Sequence, residues 1–350
     1  MGNASSVIKR GLLAFAQGVG AFHLVGNSTW RRQRLAILCY HGISLLDEHV
    51  WDPRLYHSPA LFRSRREHLR DGGYNVLSLD EGLQRLESGT LPDRSIAITF
   101  DDGLYDFAAA AVPLLQEFGF PATIYVSSYY VEHPWPVFPP WCRYLLWVAR
   151  ERTVDLSRVI GAGAAVPLAS EAQREAAFQA IYGHCNRTGM DGPSREALAR
   201  RLEEHLEIDA APLRARRILH LMTPVEVAAV SRAGFDVELH THRHRSPFDA
   251  ASFTEEIRRN RALLEQWGGK PANHLAYPSG VHAPEQLGWL RDLGVVSAVT
   301  SESGLAAPSS NPLLLPRVID QQSLDAVEFE AWLTGVRALL PSRVNVTAIK

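Results

Sequence analysis

From Leu35 to Val318 the sequence alternates short apolar runs with segments of helical periodicity, a rhythm that fits a parallel sheet with crossover helices. Leu35-Ala36-Ile37-Leu38-Cys39-Tyr40 reads as a strand that ends at His41-Gly42, and residues 61–71 as a helix stopped by Gly72-Gly73. Residues 75–78 form a short strand, residues 79–88 a helix closed by Gly89, and Ile96-Ala97-Ile98 a buried strand. A helix over 107–118 and a strand over 122–126 follow. Thr223-Pro224-Val225-Glu226 marks a helix start, with a capping threonine, a proline in the first turn and a glutamate that completes the capping box. That helix leads to a strand over 235–239. A helix over 253–267, strands over 274–277, 295–299 and 313–318, and a helix over 328–340 complete the series. Such a sheet is either wound open or closed into a barrel.

The rhythm breaks between about residues 127 and 220. His133-Pro134-Trp135-Pro136 and Phe138-Pro139-Pro140-Trp141 read as a loop, followed by helical stretches over 147–152, 171–182 and 194–206. The expectation is a helical insertion at one rim of the sheet, where long connections usually carry function. Its aromatic residues are expected to build a small local core rather than a platform for sugar rings.

The net charge of −2 gives no general attraction to nucleic acid. Three widely spaced cysteines, Cys39, Cys142 and Cys185, form no CxxC pair and suggest neither a zinc knuckle nor a disulfide framework, so a reduced cytoplasmic setting is expected. Residues 1–34 are expected to hold an amphipathic helix and a basic linker, Arg31-Arg32-Gln33-Arg34. The apolar stretch over 11–22 is too short to span a bilayer, is interrupted by glycine and Gln17, and lacks a clean cleavage site; packing on the body or peripheral contact with a membrane fits it better. Met1-Gly2-Asn3-Ala4-Ser5-Ser6 also fits a myristoylation pattern.

The chemistry concentrates at two strand ends, Thr99-Phe100-Asp101-Asp102-Gly103 and His240-Thr241-His242-Arg243-His244. Adjacent aspartates repel, a cost usually met by a cation. One carboxylate with two imidazoles leaves coordination positions open, the layout of a catalytic metal site. Neighbouring side chains on a strand point to opposite faces, so both aspartates reach one site only if the chain turns, which Gly103 permits. One carboxylate then binds the metal while the other takes a proton from the attacking water; the alternative is a pair capping the next helix. His240 and His244 stand four apart, so one helical turn would place both imidazoles on one side and turn His242 elsewhere. His41 could supply a general acid near neutral pH or be structural.

These segments give the chain its likeness. Thr99-Phe100-Asp101-Asp102-Gly103 and His240-Thr241-x-x-His244, supported by Pro121-Ala122-Thr123-Ile124-Tyr125-Val126, resemble the motifs of the polysaccharide deacetylases, the NodB-homology proteins of carbohydrate esterase family 4. The resemblance implies a deformed (β/α) barrel over residues 35–345 with the helical insertion, and a divalent metal, commonly Zn²⁺, held by Asp102, His240 and His244. Asp101 would be the catalytic base. The family's arginine-containing motif aligns with Ala276-Tyr277-Pro278-Ser279-Gly280, where its arginine is absent; Tyr277 and the Ser279 amide remain for oxyanion or substrate contact, and Arg317 is the candidate replacement. The family's C-terminal histidine is also absent. A poly-N-acetylglucosamine subgroup instead uses an N-terminal tyrosine-histidine segment, which Tyr40-His41 resembles, so His41 would be the general acid. The implied activity is metal-dependent removal of N-acetyl groups from the amino sugars of a glycan. The alternatives are a metal hydrolase of the same fold acting on a non-sugar amide or O-acetyl ester, and a non-catalytic glycan-binding relative.

Overall fold

A computed structural model describes residues 11–133 and 135–340. Seven strands close into an all-parallel barrel in sequence order: β1 (Ala36–Tyr40), β2 (Ser95–Phe100), β3 (Thr123–Val126), β4 (Asp236–Leu239), β5 (His274–Ala276), β6 (Ser297–Ser303) and β7 (Leu315–Ile319), which pairs back onto β1. Leu38 is in register with both Ile98 of β2 and Val318 of β7, which seals the ring. A short strand, Asn75–Leu77, pairs with the start of β2 outside the ring. The connection from β6 to β7 contains no helix, so the barrel departs from strict strand–helix alternation there.

Strand parity divides the core into two layers. Alternate residues Leu38, Tyr40, Ile96, Ile98, Phe100, Ile124, Val126 and Leu239 join the large cluster between barrel and helices. The intervening positions Ile37, Ala97, Tyr125, Ala276, Val299 and Leu315 make a separate inner cluster. That cluster also takes in Leu79 and Leu86 of the helix Leu79–Ser88 and the Leu35–Ala306 bridge, all near the N-terminal ends of the strands.

The expected capping box forms as read: Thr223 Oγ1 accepts from the Glu226 N–H and Glu226 accepts from the Thr223 N–H. The proline-rich stretch expected as a loop is partly helical, because Phe138–Val148 is a helix with its prolines in the first turn, where no N–H is needed. Trp141 is fully buried and its indole N–H donates to Glu203 of the helix Gly192–His205, so this tryptophan belongs to a local core. The helix expected over 328–340 is broken into Ala326–Leu333 and Val336–Leu339 around Gly335, whose φ is +87°.

At the N-terminus, residues 11–18 and Ala21–Gly26 are helical, and Leu13 and Phe22 pack on Ala331 and Val336. The Met1–Ser6 pattern, Pro134 and the end of the expected domain at 345 lie outside the described residues. No helix among the described residues is long and apolar enough to cross a membrane.

Candidate active site

The chemistry-bearing residues stand at the C-terminal ends of the barrel strands, the rim where barrels of this kind place their sites. His41 follows β1, Asp101 and Asp102 follow β2, His240 follows β4, Tyr277 follows β5, and Arg317 lies in β7.

The turn that separates the two aspartates begins one residue earlier than Gly103. Asp102 itself has φ +75° and Gly103 φ +86°. A side chain at Gly103 would meet Val126 Cγ1 at 2.7 Å, so only glycine fits there. The carboxylates part company at this turn. Asp101 receives two parallel hydrogen bonds from the Arg317 guanidinium, Nη1 to Oδ1 and Nη2 to Oδ2, both 2.7 Å. Arg317 is anchored in turn by donating Nε–H to the Thr300 carbonyl at 3.0 Å. Burial alone would raise the Asp101 carboxyl, but the Arg317 charge and hydrogen bonds outweigh it and hold Asp101 below its ordinary value. His41 Nε2 stands 3.9 Å from Asp101 Oδ2.

Asp102 Oδ1 lies 3.2 Å from His240 Nε2 and 3.3 Å from His244 Nε2. No helical turn brings the two histidines together, contrary to the spacing argument. The segment is a bend in which Thr241 (φ +59°) and His244 (φ +53°) are left-handed, with Pro247 three residues beyond His244. The helix Ala250–Gly268 fixes that bend from below. Its fully buried Asn260 accepts from the His240 N–H and donates to the Val126 carbonyl and Ser128 Oγ. One turn earlier, Glu256 accepts from the Arg243 N–H at 2.7 Å. His242 points away from the cluster, as its position between the other two suggested: it is buried with Nδ1 3.0 Å from Ser128 Oγ.

The tautomer of His240 determines what this cluster can hold. Its Nδ1 faces the Ala276 carbonyl at 2.8 Å, and a carbonyl only accepts, so Nδ1 carries a proton. In the neutral ring Nε2 is then a lone pair directed at Asp102. Burial would raise the Asp102 carboxyl, but the two imidazoles outweigh it and hold it well below its usual value, so Asp102 is a carboxylate. With Nδ1 committed to the Ala276 carbonyl, Nε2 is the ring nitrogen free to share a cation with the Asp102 carboxylate. Ligands about 2.0–2.1 Å from a tetrahedral zinc ion stand about 3.3 Å apart, close to both separations found here. Asp102, His240 and His244 therefore fit a divalent metal with nitrogen–oxygen ligands.

Of the remaining candidates, Ser279 is exposed on the Pro278–Gly280 turn with φ +55°. Tyr277 differs from the expectation: its ring is buried and its hydroxyl donates to the Leu313 carbonyl, so the side chain packs into the body instead of facing substrate. Two residues escaped the sequence reading. Cys39 points inward one strand repeat before His41, with Sγ 3.9 Å from Asp101 Oδ2; strand parity could have found it. Asn260, inside a helix far along the chain, gave no such signal.

A family model for polysaccharide deacetylases matches residues 88–298, which include both aspartates and all three histidines of the second motif. A putative polysaccharide deacetylase, YxkH of Bacillus subtilis, is 31% identical over 106 residues, 30% of this chain and 36% of the relative. The poly-beta-1,6-N-acetyl-D-glucosamine N-deacetylase of Escherichia coli K12 is 25% identical over 112 residues, 32% of this chain and 16% of that protein. The chain thus matches only about a third or less of the length of these relatives. The fold resembles that of the Streptococcus pyogenes deacetylase PplD in complex with acetate, with TM-score 0.56 and 18% identity over 86% of this chain and 98% of the other. It equally resembles IcaB from Ammonifex degensii, with TM-score 0.56 and 18% identity over 86% and 97%. With the family model covering more than half its length and the paired-aspartate and histidine motifs converging at one barrel rim, this chain belongs to the polysaccharide deacetylase family.

Proposed function

We propose that this protein removes N-acetyl groups from the amino sugars of a polysaccharide by metal-dependent hydrolysis, with poly-β-1,6-N-acetylglucosamine as the substrate class. The observation that carries the metal is the convergence of His240 Nε2 and His244 Nε2 on Asp102 Oδ1 at 3.2 and 3.3 Å, with His240 Nδ1 turned to the Ala276 carbonyl. The substrate class draws support from the named activity of the Escherichia coli relative and from the place of His41, which follows β1 beside the catalytic aspartate. Zinc suits the two-nitrogen, one-oxygen donor set, and a divalent metal held there supplies Lewis-acid polarisation of the acetyl carbonyl and a lower pKa for water.

The chain's own groups then divide the proton transfers. Asp101, kept ionised by Arg317, accepts a proton from the attacking water. His41 delivers a proton to the departing amine so that it leaves as a neutral sugar amine. The N–H of Ser279, on its exposed turn, is assigned to the developing oxyanion. Exposed Leu12, Phe15 and Leu24 on the N-terminal helices, with exposed Val19 in the turn between them, are the basis for a peripheral position at the cytoplasmic membrane face, which sedimentation with lipid vesicles tests.

The substrate assignment is tested by acetate release from N-acetylated β-1,6-glucosamine oligomers, chitin oligomers and O-acetylated sugars. Preference for the β-1,6 N-acetyl oligomers is expected. Faster release from O-acetyl sugars than from any N-acetyl substrate would replace the amide reading with an esterase one.

A further inference from the structure

Asp106 lies four residues beyond Asp102, immediately before the π-helical turn Phe107–Ala111, and is 4% exposed. Its carboxylate reaches across to the segment that carries His41: Oδ1 accepts the Ile43 N–H at 3.1 Å. That N–H needs a partner. In the small ladder formed by Gly42–Ile43 and Tyr56–His57, Gly42 N–H bonds to the Leu55 carbonyl and Ser44 N–H to the His57 carbonyl, and Ile43 N–H points the other way. The fit around Gly42 is equally close. A side chain there would stand 2.2 Å from the Tyr56 ring and 3.0 Å from Asp106 Oδ2, so the turn after His41 is pressed between Tyr56 and Asp106.

We propose that Asp106 is a positioning residue of the reaction: by taking the Ile43 N–H and closing against Gly42, it ties the turn carrying His41 to the loop carrying Asp101 and Asp102, and so fixes the distance between acid and base. Without this tie the two groups are connected mainly through β1 and β2, whose last rung, the Asp101 N–H to the Tyr40 carbonyl at 3.0 Å, stops one residue short of His41. The inference rests on His41 acting as the general acid. Burial raises the Asp106 carboxyl well above its usual value, against the Ile43 bond that lowers it, and the nearby charges of Glu48 and Asp102 raise it further. Asparagine suits the site because its amide oxygen still accepts from the Ile43 N–H.

The test uses the full-length, metal-loaded protein with N-acetylated β-1,6-glucosamine oligomers, comparing Asp106→Asn, Asp106→Leu, His41→Ala and the Asp106→Leu/His41→Ala double variant. Asp106→Leu is expected to lower kcat by about 10–100-fold, the scale of a misplaced catalytic group, with KM and metal content nearly unchanged. Asp106→Asn should stay within about threefold of wild type, because it keeps the acceptor. The double variant should be no slower than His41→Ala alone, because Asp106 acts through His41. Amide exchange at Ile43 should accelerate in Asp106→Leu and remain slow in Asp106→Asn. Wild-type kcat in Asp106→Leu, loss of metal in that variant, or losses that multiply in the double variant would each overturn the role of Asp106. Wild-type kcat in His41→Ala would instead overturn the reading of His41, and this inference with it.

Discussion

At the scale of single residues, the site works by giving two adjacent carboxylates different partners. Asp101 faces a guanidinium and Asp102 faces two imidazoles, and the left-handed backbone at Asp102 turns them apart. Asp101→Asn should therefore keep the metal and lower kcat by about 10²–10⁴-fold, since an amide cannot accept the proton from water. Metal analysis beside kinetics checks both halves; normal turnover would return Asp101 to a structural role. Arg317→Gln removes the group that holds Asp101 ionised and leaves a buried carboxylate without its main partner. It should cost roughly 3–5 kcal/mol of stability, read from denaturant unfolding, and reduce turnover at neutral pH. His244→Ala should empty the metal site, whereas His242→Ala should keep the metal. The reverse result would exchange their assignments.

At the scale of elements, the helix Ala250–Gly268 is the clamp for the proposed metal ligands, because Asn260 joins the ends of β3 and β4 while Glu256 holds the bend between His240 and His244. Asn260→Ala leaves the buried His240 N–H and Val126 carbonyl without this partner. It should weaken metal affinity about 10–100-fold, measurable by competition with a chelating dye; unchanged affinity would make the helix a passive neighbour. This scale also separates what the sequence could reveal from what it could not. Every barrel strand was legible, because apolar runs such as Leu35–Tyr40 and the turn residues after them report burial and chain reversal directly. Convergence of Asp101, Asp102, His240 and His244 could be inferred from their places at strand ends. The means of convergence could not. Left-handed backbone at Asp102, Thr241 and His244 is imposed by contacts distant in sequence, and periodicity carries no trace of it. Arg317 could be named as a substitute for the missing arginine, but its pairing with Asp101 depends on the closure of β7 onto β1. Tyr277 was placed correctly along the chain, yet its ring turns into the core.

At the scale of the whole molecule, barrel closure brings residues from β1, β2, β4 and β7 to one rim, and a second buried network braces the ring where β7 meets β1. There Asp320 accepts from Tyr40 Oη at 3.0 Å and from Arg65 Nε at 3.0 Å, with His57 Nε2 3.7 Å away. Burial would raise the Asp320 carboxyl, but His57 and Arg65 outweigh it and lower it from its usual 3.8. A carboxyl with a lowered folded-state value stabilises the fold above its unfolded value and loses that contribution as pH falls through the folded one. Thermal unfolding from pH 5 down to pH 2 should show this loss, and Asp320→Asn should be less stable at neutral pH with a shallower acid dependence. An identical acid dependence in the variant would assign the effect elsewhere. The proposed hydrolysis requires a metal at Asp102, His240 and His244. The most direct measurement is acetate release from N-acetylated β-1,6-glucosamine oligomers by protein stripped of metal with a chelator and then titrated with zinc. Activity should fall to background on stripping and return in proportion to zinc, saturating at about one equivalent per chain. Full activity in metal-free protein, or recovery in a variant lacking both His240 and His244, would contradict it.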